Sequence, residues 1–247
     1  MRVNKNIIMA CIITGVYDVN RNDTLESNKF SVIKDWANSL INLKLKGVVF
    51  HNNFTDEIVD KYSNPYLQFI RITYDERYNS NTYRYFVYLN YLQNQPHLSN
   101  IFITDITDVE VVNNPFETDY YLQNKTKIFC GDEPKILMND WMLAHGEHFR
   151  GLIPGYADFE NKFKEATLLN CGIIGGEVSL MKAFLEKLCN IHKNYNTINH
   201  TGYTGDMGAF NYLLRTEYEG KFLHGEPCNT VFKAYQTERT DCWFRHK

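Results

Sequence analysis

Basic residues are not in excess in this sequence of 247 residues: 26 Lys and Arg stand against 29 Asp and Glu, a formal net charge of −3. Without a positive surplus, binding to a nucleic-acid backbone is a poor expectation. The six cysteines form no Cys-x-x-Cys pair, so neither a zinc cluster of that spacing nor a small disulfide scaffold is predicted. Scattered cysteines of this kind favour a reducing, cytoplasmic compartment.

Long apolar runs and phosphate-binding loops are also missing. The apolar stretch Ile7–Ile13 is too short to cross a bilayer and precedes no small-residue cleavage site, so we expect a soluble, unprocessed protein without a transmembrane segment. The P-loop pattern does not occur, which excludes that class of nucleotide enzyme. The residues after this stretch include Asp18 and form no glycine-rich basic loop, which argues against a nucleotidyltransferase.

What the sequence does contain is an alternation of strand and helix patterns. Hydrophobic residues make up 44% of the chain, a globular composition. The predicted strands are Ile7–Ile13, Gly47–Phe50, Leu67–Ile70, Asn100–Thr104, Lys127–Cys130 and Thr167–Gly176, and helices are predicted over Lys29–Leu43, Thr82–Gln93, Met138–His148 and two later segments. This alternation predicts an α/β fold, and without repeats or linkers we expect one continuous body over residues 1–247.

Two acids follow the predicted strand Asn100–Thr104. Asp105 and Asp108 stand at its carboxyl end, where open α/β sheets bind ligands. Two carboxylates there suit Mg²⁺ or Mn²⁺ with a substrate diphosphate completing the shell. The alternative is that both acids cap a turn. A haloacid-type phosphatase is disfavoured, because its acids would follow the first strand.

Arg84 stands in the first turn of an almost wholly apolar helix. A cation there opposes the helix dipole by about 0.3 to 1 kcal/mol, so we expect an anionic partner. That partner is either a bound diphosphate or one of the acids Asp105 and Asp108. Trp36 and Trp141 are expected in the core. Glu133 could face the same site as Asp206, although a turn is the favoured explanation.

Four segments in order resemble the GT-A-fold glycosyltransferases. Phe102–Phe116 is similar to their strand-aspartate segment closing on Asn-Pro-Phe, and Leu169–Gly176 to their Asn-x-Gly strand and turn. Asp206–Leu213 is similar to their Asp-Gln-x-x-hydrophobic-Asn helix, and His224–Pro227 to the His-Gly segment of glycogenin-like members. Two departures are visible: DxxD replaces DxD, with Thr107 where the second acid normally falls, and Met207 replaces Gln.

The resemblance implies a Rossmann-like mixed sheet flanked by helices, with a nucleotide-binding half over about 1–116 and an acceptor-binding half over about 117–247. It implies transfer of a sugar from a UDP- or GDP-sugar to a glycan or other hydroxyl acceptor, assisted by Mn²⁺ or Mg²⁺. The residues it assigns are the metal ligands Asp105, Asp108 and His224, the donor-binding residues Thr14, Gly15, Tyr17, Arg84, Asp105, Asn170 and Gly172, and the acceptor-side acid Asp206.

Several alternatives stay open at this point. The chain could be a catalytically inactive module of the same fold that binds sugar nucleotides or glycans. His224 could be a structural histidine, Gly15 a simple turn, and Asp206 a helix-start acid after Thr204. On the enzyme hypothesis, Asp105→Ala should abolish turnover with the thermal melt nearly unchanged. The abundance of Asn, Ile, Lys and Tyr is consistent with AT-rich coding in a microbe or a virus.

Overall fold

Apolar strands and amphipathic helices alternate along the chain as the sequence predicts. The computed structural model describes residues 5–18, 22–195 and 205–247. Within them the strands are β1 (Asn6–Ile12), β2 (Tyr17–Asp18), β3 (Asp23–Thr24), β4 (Gly47–His51), β5 (Leu67–Arg71), β6 (Asn100–Thr104), β7 (Val109–Val111), β8 (Ile128–Ile136), β9 (Thr167–Glu177), β10 (Phe222–His224) and β11 (Phe244–His246). The helices are α1 (Lys34–Asn42), α2 (Asp56–Tyr62), α3 (Ser80–Gln93), α4 (Asp119–Gln123), α5 (Asp140–Arg150), α6 (Tyr156–Phe163), α7 (Val178–Tyr195) and α8 (Asp206–Glu217).

Seven of the described strands form one mixed sheet in the order β10-β8-β9-β6-β1-β4-β5. Strands β6, β1, β4 and β5 are parallel, whereas β9 runs antiparallel to both β6 and β8. The chain extends the sheet from β1 through β4 to β5 and then returns to place β6 on the other side of β1. Connections on the two sides of that switch point diverge, which opens a crevice at the carboxyl ends of β1 and β6.

Both faces of this sheet are buried, which explains the unbroken apolar run in β1. Ile8, Ala10 and Ile12 point into one core, and Ile7 and Met9 into the other. The first core also holds Trp36 and Leu40 of α1 together with the aromatic residues Phe102, Tyr121, Phe129, Trp243 and Phe244. Helices α3, α7 and α8 close the second core, with Tyr85, Leu188 and Phe210 fully covered. The predicted mixed α/β sheet flanked by helices is therefore confirmed.

The structure differs from the sequence prediction in the second half of the chain. Residues 151–155 form a turn, and helix α6, which the sequence did not predict, begins after Gly155 in a left-handed conformation (φ 80°). Strand β8 continues past Cys130 to Ile136, with irregular pairing to β9, so Glu133 lies on a strand and not in a turn. Polar residues and Pro134 hide this strand from a hydrophobic pattern. Helix α8 begins after Gly205, and Thr204 lies outside the described residues.

In the described part of the chain, no helix combines the length and the apolar character that crossing a membrane requires.

We predict that the protein loses stability as the pH falls from about 6.5 toward 4. His192 is fully buried on α7 against Tyr85, and burial lowers the pKa of its ring to about 3. In this window the unfolded state therefore binds a proton that the folded state does not, and the free energy of unfolding falls by up to about 1.4 kcal/mol per pH unit. Chemical denaturation of the His192→Phe variant should show a shallower pH dependence.

The matched control for this prediction is Phe184→Leu, a buried change on the same helix that involves no titratable group. It should lower the free energy of unfolding equally at every pH. A pH slope that is the same in the wild type and in His192→Phe would contradict the assignment of the slope to this histidine.

Candidate metal centre and active-site cleft

A cleft of about 380 Å³ lies at the switch point of the sheet. Its walls come from the carboxyl ends of β1 and β6, the middle of β9 and the first turns of α3 and α8. Both acids of the DxxD segment line it, together with Arg84, Asn170 and Asp206. The sheet therefore brings residues from distant parts of the sequence to one opening.

Two of the predicted metal ligands meet a third residue that the sequence did not single out. Asp105, Asp108 and His246 each offer one ligand atom, and these atoms lie within 4.8 Å of one another. His246 arrives because β11 pairs antiparallel with β7, placing it opposite Val109, and the Lys247 N–H donates to the Asp108 carbonyl (2.8 Å). The pairing of β11 with β7, which begins one residue after Asp108, thus places the imidazole of His246 beside both acids.

The environment of His246 fits a metal ligand. Its side chain is 1% exposed, and neither ring nitrogen has a hydrogen-bond partner among the described residues. Burial lowers the pKa of the ring, against the pull of Asp105 and Asp108, which favours the neutral imidazole that a metal requires. Unpaired buried nitrogens are costly, and a cation shared with two carboxylates would satisfy one of them. This donor set suits Mn²⁺ or Mg²⁺.

Arg84 has an anionic partner, although α3 begins at Ser80 and places this residue just beyond the first turn. Its guanidinium is buried and forms an ion pair with Asp105, while its Nη2 lies 3.9 Å from Oδ2 of Asp206. Burial, the largest single effect, lowers the pKa of Arg84, but the Asp105 carboxylate and the nearby side chains of Tyr85, Cys171 and Tyr88 together hold that pKa well above its ordinary value. The salt bridge with Asp105, which was one of the two alternatives for Arg84, is therefore present. The guanidinium lies between Asp105 and Asp206.

The middle of β9 packs directly against the metal-side acid. The Asp105 N–H donates to the Gly172 carbonyl (2.6 Å), and a Cβ added to Gly172 would lie 2.5 Å from Asp105 Oδ2. Asn170 accepts from the Gly172 N–H (2.7 Å) and donates to the buried carboxylate of Glu133 (2.9 Å). The glycine is thus required for close approach, and the Asn-x-Gly pattern shapes the floor of the cleft.

Asp206 is buried at the start of α8. Its Oδ1 accepts from the Met207 N–H (2.9 Å), and Cys171 Sγ lies 3.6 Å from its Oδ2. Burial raises the pKa of the Cys171 thiol well above its ordinary value, so this cysteine is a neutral donor and not a nucleophile. Met207 Sδ accepts from the Cys171 N–H, so the residue that replaces Gln in the motif helps to anchor α8 to β9.

Three predicted donor-binding residues lie just outside the cleft wall. The Thr14 N–H donates to Asn52 Oδ1 (2.9 Å), and Gly15 follows with φ 76°. Tyr17 is half exposed and donates to Asn22. The cleft wall on this side is formed by Cys11, Ile12 and Ile13. Gly15 therefore has a turn conformation, as the alternative to a donor-binding role predicted.

The structure does not bring His224 to the two acids. This residue lies on β10, at the far edge of the sheet, where its Nδ1 is 2.8 Å from Oδ2 of Asp132. It lines a separate hollow with Phe163 and Arg215. The histidine that does lie beside the two acids is His246. Its only signal in the sequence is the apolar pair Trp243-Phe244 just before it, which indicates a short strand.

Trp141 was expected in the core, and this expectation is wrong. Its side chain is 41% exposed and lines the cleft from the first turn of α5. Trp36 is fully buried as expected, and its Nε1 donates to Thr104 Oγ1 (2.7 Å) at the end of β6.

Comparisons with known proteins establish the fold. No family model matches the sequence, and no curated protein matches it. Among solved structures, the galactosyltransferase LgtC in complex with donor and acceptor sugar analogs shares 11% identity over 98% of this chain and 86% of that chain, with a TM-score of 0.53. Mouse xyloside xylosyltransferase 1, in its apo form, shares 13% identity over 97% and 96%, with a TM-score of 0.50. The predicted GT-A fold is therefore confirmed.

We predict that Asp105→Ala destabilises the fold, contrary to the nearly unchanged melt expected from sequence. The substitution leaves the buried Arg84 guanidinium without its nearest carboxylate, a loss of about 1 to 3 kcal/mol in the free energy of unfolding. Urea denaturation of Asp105→Ala and of the double variant Arg84→Met/Asp105→Ala measures this. The double variant should recover part of the loss, because it removes both partners. A single variant as stable as the wild type would show that the pair contributes nothing.

Proposed function

We propose that the chain is a glycosyltransferase that moves a sugar from a nucleoside-diphosphate donor to an acceptor hydroxyl with the help of a divalent cation. The observation that carries this proposal is the trio Asp105, Asp108 and His246 at the switch point of the sheet. The two similar solved structures reported above are a galactosyltransferase and a xylosyltransferase, which supports sugar transfer.

The charge of the cleft supports an anionic donor that enters together with a cation. Among the residues that the structure describes, five acids line it against three bases: Asp18, Asp105, Asp108, Glu133 and Asp206 against Arg84, Lys135 and Lys233. Such an excess of carboxylates repels a diphosphate. A bound Mn²⁺ or Mg²⁺ would neutralise both the acids and the charge that develops on the departing diphosphate. Asp105, Asp108 and His246 would hold it.

In the proposed reaction, the bond between the sugar anomeric carbon and the diphosphate oxygen breaks, and its electron pair leaves with the nucleoside diphosphate. The acceptor hydroxyl oxygen forms the new bond to that carbon and loses its proton. Arg84 forms an ion pair with Asp105, which lines the cleft, and would hold that carboxylate in position. The segment that contains Thr14, Gly15 and Tyr17 follows β1, where we place the nucleoside of a UDP- or GDP-sugar.

Asp206 is our candidate for the acceptor side. It lines the cleft from the start of α8, in the half of the chain after residue 116 that we assign to the acceptor. In an inverting reaction its carboxylate would take the acceptor proton, and in a retaining one it would hold the sugar by a hydrogen bond. Asn170 and Gly172, between this acid and Asp105, would contact the donor sugar.

The alternative is an inactive module of the same fold that binds sugar nucleotides or glycans without transfer. The buried imidazole of His246 beside two acids, without a hydrogen-bond partner among the described residues, supports a metal centre that can assist departure of the diphosphate and so favours the enzyme. Metal-dependent hydrolysis of a panel of UDP- and GDP-sugars separates the two hypotheses.

We predict that His246→Ala lowers Mn²⁺-dependent donor hydrolysis at least about tenfold, whereas His224→Ala leaves it unchanged. The first variant removes a ligand atom of the trio, and the second changes a histidine at the far edge of the sheet. Each variant is assayed with and without Mn²⁺, and manganese binding is followed by calorimetry. Equal activities in the two variants, or loss in His224→Ala alone, would contradict the proposed metal centre.

We also predict that Trp141→Ala raises the KM for a glycan acceptor about tenfold and leaves donor hydrolysis unchanged. An indole that is 41% exposed in the cleft offers a flat face on which a sugar ring can stack, an interaction of about 1 kcal/mol or more. Leu143→Ala, an exposed apolar change on the same helix outside the cleft lining, is the control. An unchanged acceptor KM in Trp141→Ala would remove this residue from the acceptor site.

A further inference from the structure

We infer that Glu110 is a positioning residue that holds His246 in place for the proposed metal centre. The presence of a metal rests on the proposed function, whereas the positioning of His246 is argued from the contacts of β7 and β11. Glu110 lies two residues after Asp108 and faces Arg245 directly across the ladder. It touches neither the cleft nor the trio, so its role would be exerted through the strand that carries His246.

The geometry of the ladder puts the two neighbours of His246 on the Glu110 side. Side chains alternate along a strand, so Arg245 and Lys247 point away from the face on which His246 is buried. Glu110 Oε2 lies 2.6 Å from Arg245 Nη1, and Glu110 Oε1 forms an ion pair with Lys247 Nζ. One carboxylate therefore binds the residues immediately before and after the candidate ligand.

These contacts matter because the ladder itself is small. Strands β7 and β11 have three residues each and form their own two-stranded sheet, outside the seven-stranded one. A ladder of this size is marginal by itself, and a backbone bridge from Phe244 to Asn229 adds to it. Trp243 and Phe244 anchor the start of the segment in the core. Contacts at the end that bears His246 are the His246 N–H to Thr230 Oγ1 (3.0 Å), the Phe232 ring against the imidazole, the Lys247 backbone and the two ion pairs of Glu110.

The Glu110 pairs are strong enough to have this effect. The side chains of Glu110 and Arg245 are only 19% and 15% exposed, so the pair is shielded from solvent much more than a surface ion pair. Lys247 also contacts Asp35 (3.1 Å), but that carboxylate is 66% exposed. Asp35, on α1, therefore offers a matched but weaker contact to the same lysine.

The test measures Mn²⁺ affinity by calorimetry and by the electron paramagnetic resonance signal of free Mn²⁺, on the whole protein. Glu110→Gln should weaken Mn²⁺ binding about ten- to a hundredfold, the usual effect of removing a residue that orients a metal ligand. Asp35→Asn should change it less than about threefold. At saturating Mn²⁺ the kcat for donor hydrolysis should return to the wild-type value, because the reacting groups are intact.

A double-mutant cycle separates positioning from direct attraction between the Glu110 charge and the cation. If Glu110 acts through His246, Glu110→Gln should have little further effect on Mn²⁺ affinity in the His246→Ala background. Additive losses would overturn the inference, as would an unchanged affinity in folded Glu110→Gln. Far-ultraviolet circular dichroism of each variant establishes folding, and Glu110→Asp should restore part of the affinity. A wild type that binds no Mn²⁺ would instead contradict the proposed function.

Discussion

The reversal of strand order between β1 and β6 is the constraint from which the site follows. Parallel neighbours end at the same edge of the sheet, and connections that leave on opposite sides cannot close over the gap between them. Asp105 stands at that gap because β6 ends one residue earlier. Arg84 reaches it from α3 and Asp206 from α8, so one opening collects groups that are far apart in the sequence.

Burying charged groups at this opening costs free energy, and the structure offsets that cost because single polar side chains contact more than one buried partner. One guanidinium serves Asp105 and lies near Asp206, and Asn170 bridges Gly172 and Glu133. The described lining has more carboxylates than bases, beside an imidazole without a hydrogen-bond partner among the described residues, and a bound cation would balance this charge. The same arrangement makes the centre dependent on β11, a strand outside the main sheet.

Local patterns were sufficient for the elements that bury apolar residues on a regular period. Strand β6 has the bounds that its apolar run indicated. The apolar residues on one face of α7 and the almost wholly apolar sequence of α3 placed those helices. The same reasoning missed α6 and the outer part of β8, where polar residues occupy positions whose structure is decided by neighbouring elements. The prediction for Trp141 was wrong for a related reason, because a tryptophan among apolar residues gives the same sequence signal whether it lies in a core or in a cleft wall.

By itself, the sequence determined the α/β class, the strand that ends just before Asp105, and the presence of an anionic partner for Arg84. Each of these depends on residues close together in the chain. Tertiary structure alone decided that His246, and not His224, joins Asp105 and Asp108. That choice rests on the pairing of β7 with β11. Hydrogen bonds between strands far apart in the chain are set by which apolar residues share a core, and no short motif records that.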